Sequence, residues 1–163
     1  MSQTWQYDVR ADRGWQATDI RKVADSSKGI SVHADGTWKH HPDWDAVGPD
    51  GNIPGKEGAF YPHLVARGRT EYPHSGDDAY VGSLIGKWGP DGGVFRINKG
   101  LVFDCGPSAD TSKTLHLAIN DRPDELSSNT GVMHVFARIY DSGDREQLWY
   151  YDRIGQCWRT STN

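Results

Sequence analysis

Thr114-Leu-His-Leu-Ala-Ile119, Asn120-Asp-Arg-Pro-Asp-Glu-Leu-Ser-Ser-Asn-Thr-Gly131 and Val132-Met-His-Val-Phe-Ala-Arg-Ile-Tyr140 form one continuous stretch. Its two flanks alternate. Leu115, Leu117 and Ile119 share one parity, and Met133, Val135, Ala137 and Ile139 share another, as in strands with one face buried. Between them lies a loop dense in oxygen donors, and a polar loop on a rigid β scaffold is a usual place for a binding site. Asp121, Ser128 and Asn129 are the residues that could converge there. Asn, Asp, Ser, Pro and Gly are also ordinary turn formers, and the repeating carboxylate signature of an EF-hand is absent.

Outward from this stretch, short apolar runs alternate with turn signals, and outside a weak Thr18–Ala24 segment no helical period is sustained. The reading predicts strands over Thr4–Ala11, Thr18–Val23, Ile30–Ala34, Ala79–Lys87, Gly93–Ile97, Leu101–Phe103, Thr114–Ile119, Val132–Tyr140 and Gln147–Tyr151. A parallel α/β sheet would need crossover helices between strands, so the prediction is an all-β sandwich or jelly roll. Lys39 to Gly76 carries Pro42, Pro49, Pro54, Pro62 and Pro73, which donate no ladder hydrogen bond. It is therefore expected as a long surface loop.

The 163 residues suit a single β-sandwich domain over 1–163, with 140–163 as a C-terminal extension. That extension, Gln147 to Arg159, is expected as a hairpin turning near Arg153–Gly155. It would add strands to a sheet or cover an edge against a second subunit. Charged residues at 25% and hydrophobic residues at 36%, with 19 Gly and 8 Pro, describe a loop-rich globular chain. A formal net charge of −4 gives no electrostatic reason to expect nucleic acid.

No run of about twenty apolar residues is present to span a membrane. The N-terminus lacks the apolar core of a signal peptide, which points to a cytoplasmic protein or one released without such a signal. Cys105 and Cys157 admit one bridge, but two inert thiols are the expected state in a reducing compartment. His40-His-Pro-Asp-Trp-Asp45 contains zinc-ligand types without a zinc spacing. No nucleophile elbow or phosphate loop occurs, which argues against an enzyme. Trp5, Trp15, Trp38 and Trp88 read as packing, whereas Trp44, in the long loop, is the better candidate for stacking on a ligand.

The order of five segments is the basis of a resemblance. These are Ile30-Ser-Val-His-Ala-Asp-Gly-Thr-Trp38, Gly48-Pro-Asp-Gly51, Ala79-Tyr-Val-Gly-Ser-Leu-Ile-Gly-Lys-Trp-Gly89, Leu117-Ala-Ile-Asn-Asp121 and Asn129-Thr-Gly131. Together they resemble the calcium-dependent galactose-binding bacterial lectins of the PA-IL type, over roughly residues 4–140, with an insertion between Gly51 and Asp77. The resemblance implies a jelly-roll-like sandwich in which one Ca2+ bridges the protein and two sugar hydroxyls. Carried over by position, it implies Asp121 as carboxylate ligand and sugar contact, and carbonyl ligands from Glu125 and His40. Ser128 and Asn129 stand where the family has two adjacent Asn ligands. The family's His and Gln sugar contacts fall in the rebuilt loop and have no aligned counterpart. His74, Tyr72, His63 and Trp44 are the candidates to replace them, with Arg122 beside the metal. The implied function is a galactose-type carbohydrate-binding homo-oligomer, whose multivalency offsets weak single sites. The alternative from another class is an accessory β-sandwich without sugar binding.

Overall fold

A computed structural model describes residues 3–141, 148–152 and 157–161. The described residues form eleven strands: β1 Thr4–Arg10, β2 Gln16–Arg21, β3 Lys28–Asp35, β4 Trp38–Lys39, β5 Leu84–Trp88, β6 Phe95–Arg96, β7 Gly100–Asp104, β8 Thr114–Ile119, β9 Thr130–Asp141, β10 Leu148–Asp152 and β11 Cys157–Ser161. Among the described residues the only helical pieces are short 3-10 turns at Pro62–Leu64 and Leu126–Ser128.

Nine of these strands form two facing antiparallel sheets. One has the order β1-β9-β3-β7, with β4 also on β9, and the other the order β2-β8-β5-β6. The period of two decides what each strand turns inward. Met133, Val135 and Ala137 of β9 and Ile30, Val32 and Ala34 of β3 meet Leu115, Leu117 and Ile119 of β8 and Leu84 of β5 in one buried core. At one side of the sandwich the Tyr7 hydroxyl accepts the Asp19 N–H at 2.6 Å. At the other, Phe103 stands edge-on to Trp88 and Phe95, at 5.1 and 5.4 Å between centroids. The all-β sandwich expected from the sequence is therefore the observed fold.

Differences from the expected strands have local causes. The strand placed at Ala79–Lys87 starts only at Leu84, because Gly82 adopts φ +85 and interrupts the extended chain. The strand placed at Gly93–Ile97 shortens to Phe95–Arg96, and Asn98 beyond it turns at φ 57. β4 is too short to alternate and left no pattern to read. The long loop is present and is tied down. Its Ala66, Tyr72, Ala79 and Val81 make a small second core, and Val65 bridges Tyr80. Among the described residues the C-terminal strands β10 and β11 pair only with each other. The turn expected near Arg153–Gly155 lies outside the described residues. Cys105 is a buried free thiol.

Candidate functional site

The end of β8 and the starts of β5 and β9 meet at one end of the sandwich, and two glycines permit a close approach there. Gly131, at φ +97, would carry a Cβ only 3.0 Å from the Trp38 Cα. Gly82 would carry one 2.6 Å from Val47 Cγ2. With no side chain at either place, β4 lies flat on β9 in the register Trp38↔Gly131 and Lys39↔Thr130. One step further along that register stand His40 and Asn129. The Trp38 indole N–H donates to the Gly82 carbonyl, the Gly82 N–H donates to the Asn120 carbonyl at 2.9 Å, and the Asn120 N–H donates to Ser83 O at 2.8 Å.

Asn120 is wholly buried and acts as a brace. Its Nδ2 donates to His74 O at 2.9 Å and Tyr80 O at 3.0 Å, while its Oδ1 accepts the His74 N–H at 2.9 Å. The segment carrying Tyr72 and His74 is thus fixed to the residue before Asp121. Asp121 itself is 4% exposed and Asn129 is 4% exposed. Asp121 Oδ1 accepts the Arg122 N–H at 2.8 Å, and its Oδ2 accepts from Asn129 Nδ2 at 2.8 Å. The same Nδ2 also donates to Ala11 O at 3.0 Å. That leaves Asn129 Oδ1 buried with no hydrogen-bond partner. Burial pushes the Asp121 carboxyl above its ordinary range, against the lowering by Asn129 and the Arg122 N–H. A desolvated carboxylate beside an unused amide oxygen is a donor pair that favours a cation.

The remaining expected residues surround this pair unevenly. The Ser128 hydroxyl lies 3.4 Å from the Glu125 carbonyl, which puts those two oxygens together at the rim. Arg122 reaches Glu125 at 3.2 Å and Asp124 at 3.5 Å, and its Nε is buried without a partner. The Tyr72 pKa is raised by burial, with charges from Arg69, Asp121, Glu71 and Arg122 also acting on it. His74 is near through its backbone, but its ring is already committed, with Nε2 2.9 Å from Asp78 Oδ1. Among the described residues, no group of three or more His, Cys, Asp and Glu side chains is close enough to hold a metal ion. A cation here would rest on one carboxylate plus amide, hydroxyl and carbonyl oxygens.

His40 is 5% exposed, and its Nε2 has no partner. Burial, with His63 and His41 adding to it, lowers its pKa to about 4, so the ring is neutral near pH 7. It opens onto an aromatic cluster. The Trp44 ring lies 5.2 Å from His40, 4.5 Å from His41 and 4.7 Å from His63, and Tyr61 is edge-on to His63 at 5.9 Å. Trp44 remains 40% exposed, but His41 stacks against its ring and His63 packs tilted beside it. Sequence reasoning missed Asn120, Ala11 and Arg69. An Asn at the end of an apolar strand was the only signal for the first, and the other two left none.

No family model matches the chain, and no curated protein matches it. Among solved structures it is similar to one described as "EclA N-terminal domain; PllA-like lectin", at 17% identity and a TM-score of 0.51, over 85% of this chain and 96% of that one. The fold is a lectin-like β-sandwich. At that identity the likeness carries the architecture and leaves the chemistry of the site to its residues.

Proposed function

We propose that this protein is a calcium-dependent carbohydrate-binding lectin that recognises galactose or a related sugar through a bridging Ca2+ and works as a homo-oligomer. The observation that carries the reading is the buried Asp121–Asn129 pair, with a desolvated carboxylate and an amide oxygen lacking any partner. Asp121, Asn129 Oδ1, the Ser128 hydroxyl and the carbonyls of Glu125 and His40 are the oxygens that would hold the ion, a hard-donor set of the kind calcium takes. Charge supports it. Among the described residues, Arg69 pairs with Glu71 and Arg122 with Asp124 and Glu125, while Asp121 lies next to Arg122, so four carboxylates stand with two guanidiniums, a negative excess that a divalent cation would balance. The ion supplies Lewis acidity toward neighbouring hydroxyls. Tyr72, Arg122 and Ser128 then line the place where a sugar would sit, with His63 and Trp44 further out along the same end of the sandwich.

A second reading has its own support. Both oxygens of Asp121 already accept hydrogen bonds, so an accessory sandwich that uses this loop only to close its end would look the same without a ligand. Thermal unfolding separates the two, because a ligand selective for the folded state raises stability by mass action. Calcium should raise the melting temperature, and galactose should raise it further only when calcium is present. A calcium shift indifferent to a panel of monosaccharides would favour the accessory module. No response to either would end the lectin reading.

A further inference from the structure

We infer, building on the lectin reading, that the sugar taken at this site is an acidic one, whose carboxylate is gripped by Arg122 with Arg69 beside it. A neutral sugar offers hydroxyls, for which an amide or carboxylate suffices, whereas the planar guanidinium matches a carboxylate with two parallel hydrogen bonds. Two guanidiniums, those of Arg69 and Arg122, act by charge on Tyr72, as Asp121 does. The Arg69 guanidinium lies over the Tyr72 ring at 4.8 Å, and Arg122 follows Asp121 directly in the chain.

Both arginines are tied to the protein mainly by exposed ion pairs, with Arg69 also donating to the Val65 carbonyl at 3.4 Å. Arg69 holds Glu71 at 3.2 Å, with both side chains about two-fifths exposed. Arg122 holds Glu125 at 3.2 Å and Asp124 at 3.5 Å, across solvent-facing carboxylates. Exposed ion pairs of this kind contribute little and are readily exchanged. Arg122 also buries its Nε–H without an acceptor. Turning the fork outward onto a ligand carboxylate recovers that bond and costs only two weak surface pairs. The four local carboxylates would repel an anion on their own, so the acid can enter only after a divalent cation has offset them. Acid binding is therefore expected to depend on calcium more steeply than binding of the neutral sugar.

The test is calorimetric titration of the full chain with galacturonic acid and with galactose, each with calcium and with chelator. The expected result is that galacturonic acid binds about tenfold more tightly than galactose in calcium, the ordinary gain for one charge-assisted pair. Arg122→Gln should bring that ratio to about one whatever happens to the absolute affinities, and Arg122→Lys should retain only part of it, because the charge survives and the fork does not. Equal binding of both sugars by the unaltered protein would overturn the inference and leave the lectin reading standing. A preference for the acid that survives Arg122→Gln in full would remove Arg122 from it. Binding of neither sugar would defeat both.

Discussion

The Asp121 loop and the long loop between β4 and β5 meet at the same end of the sandwich and are built by opposite means. The first is short, begins and ends on core strands, and is held by hydrogen bonds, Asp121 on Asn129 and Arg122 and Asn129 on Ala11, with Asn129 Oδ1 and Arg122 Nε left without a partner. The second spans His40 to Ser83 and holds itself together with rings, His40, His41, Trp44, Tyr61 and His63, and a small core of its own. A hydrogen-bonded seat fixes positions to tenths of an ångström and tolerates few substitutions. Ring contacts are less directional, so the packed loop can change without moving the seat.

The sharpest way to break that independence is the residue the two regions share. Trp38→Ala removes a fully buried indole that donates to Gly82 and lies against Gly131. It should cost about 3–5 kcal/mol by denaturant titration and loosen both loops together. Next comes acid. His40 is depressed to about 4 in the folded chain from 6.5, so its contribution is present above pH 6.5 and is lost as pH falls toward 4. The loss should be on the order of 3 kcal/mol, and a pH series of urea midpoints on His40→Gln should lack that component.

Asn129→Ala isolates the seat. It removes two buried hydrogen bonds, strands the Ala11 carbonyl and one side of Asp121, and should cost about 1–3 kcal/mol, with calcium no longer raising the melting temperature. Asp121→Asn should behave differently. The carboxyl is raised above its usual 3.8 by burial, so its favourable contribution exists below that value and is lost as pH rises through the folded pKa. Without metal the variant should lose about 1–3 kcal/mol at neutral pH, because the amide keeps one acceptor where the carboxylate had two and turns its NH2 onto a donor, and its calcium response in differential scanning should disappear. The smallest expected effect is Trp44→Ala. Its ring is part-exposed and held by other loop rings, so a change of about 1 kcal/mol or less in stability should leave the calcium response intact. A large loss of calcium response there would show that the two regions are not independent.

Sequence patterning disclosed the seat better than the packed loop, for a physical reason. Leu115, Leu117 and Ile119, and Met133, Val135 and Ala137, announce their strands through alternation, and the residues between them must bridge two neighbouring strands. That geometry gathers Asp121 and Asn129 without any further information. The long loop has no such period. Its order comes from contacts between residues far apart in the chain, such as Asn120 with His74 or Trp38 with Gly82, which a one-dimensional reading cannot pair. For the same reason β4, two residues long, was invisible although it carries the loop's entrance onto β9. His74 looked available as a surface histidine, but Asp78 four residues later engages it.

The hydrogen bond between the Trp38 indole and the Gly82 carbonyl joins the point where the long excursion leaves the sandwich to the point where it returns. A segment whose two ends are clasped in this way is topologically a handle. Its length and composition can vary at a closure cost that grows only with the logarithm of its size. New recognition surfaces can therefore be grafted or evolve there by insertion and deletion, while the strands and the oxygen seat beneath keep their coordinates.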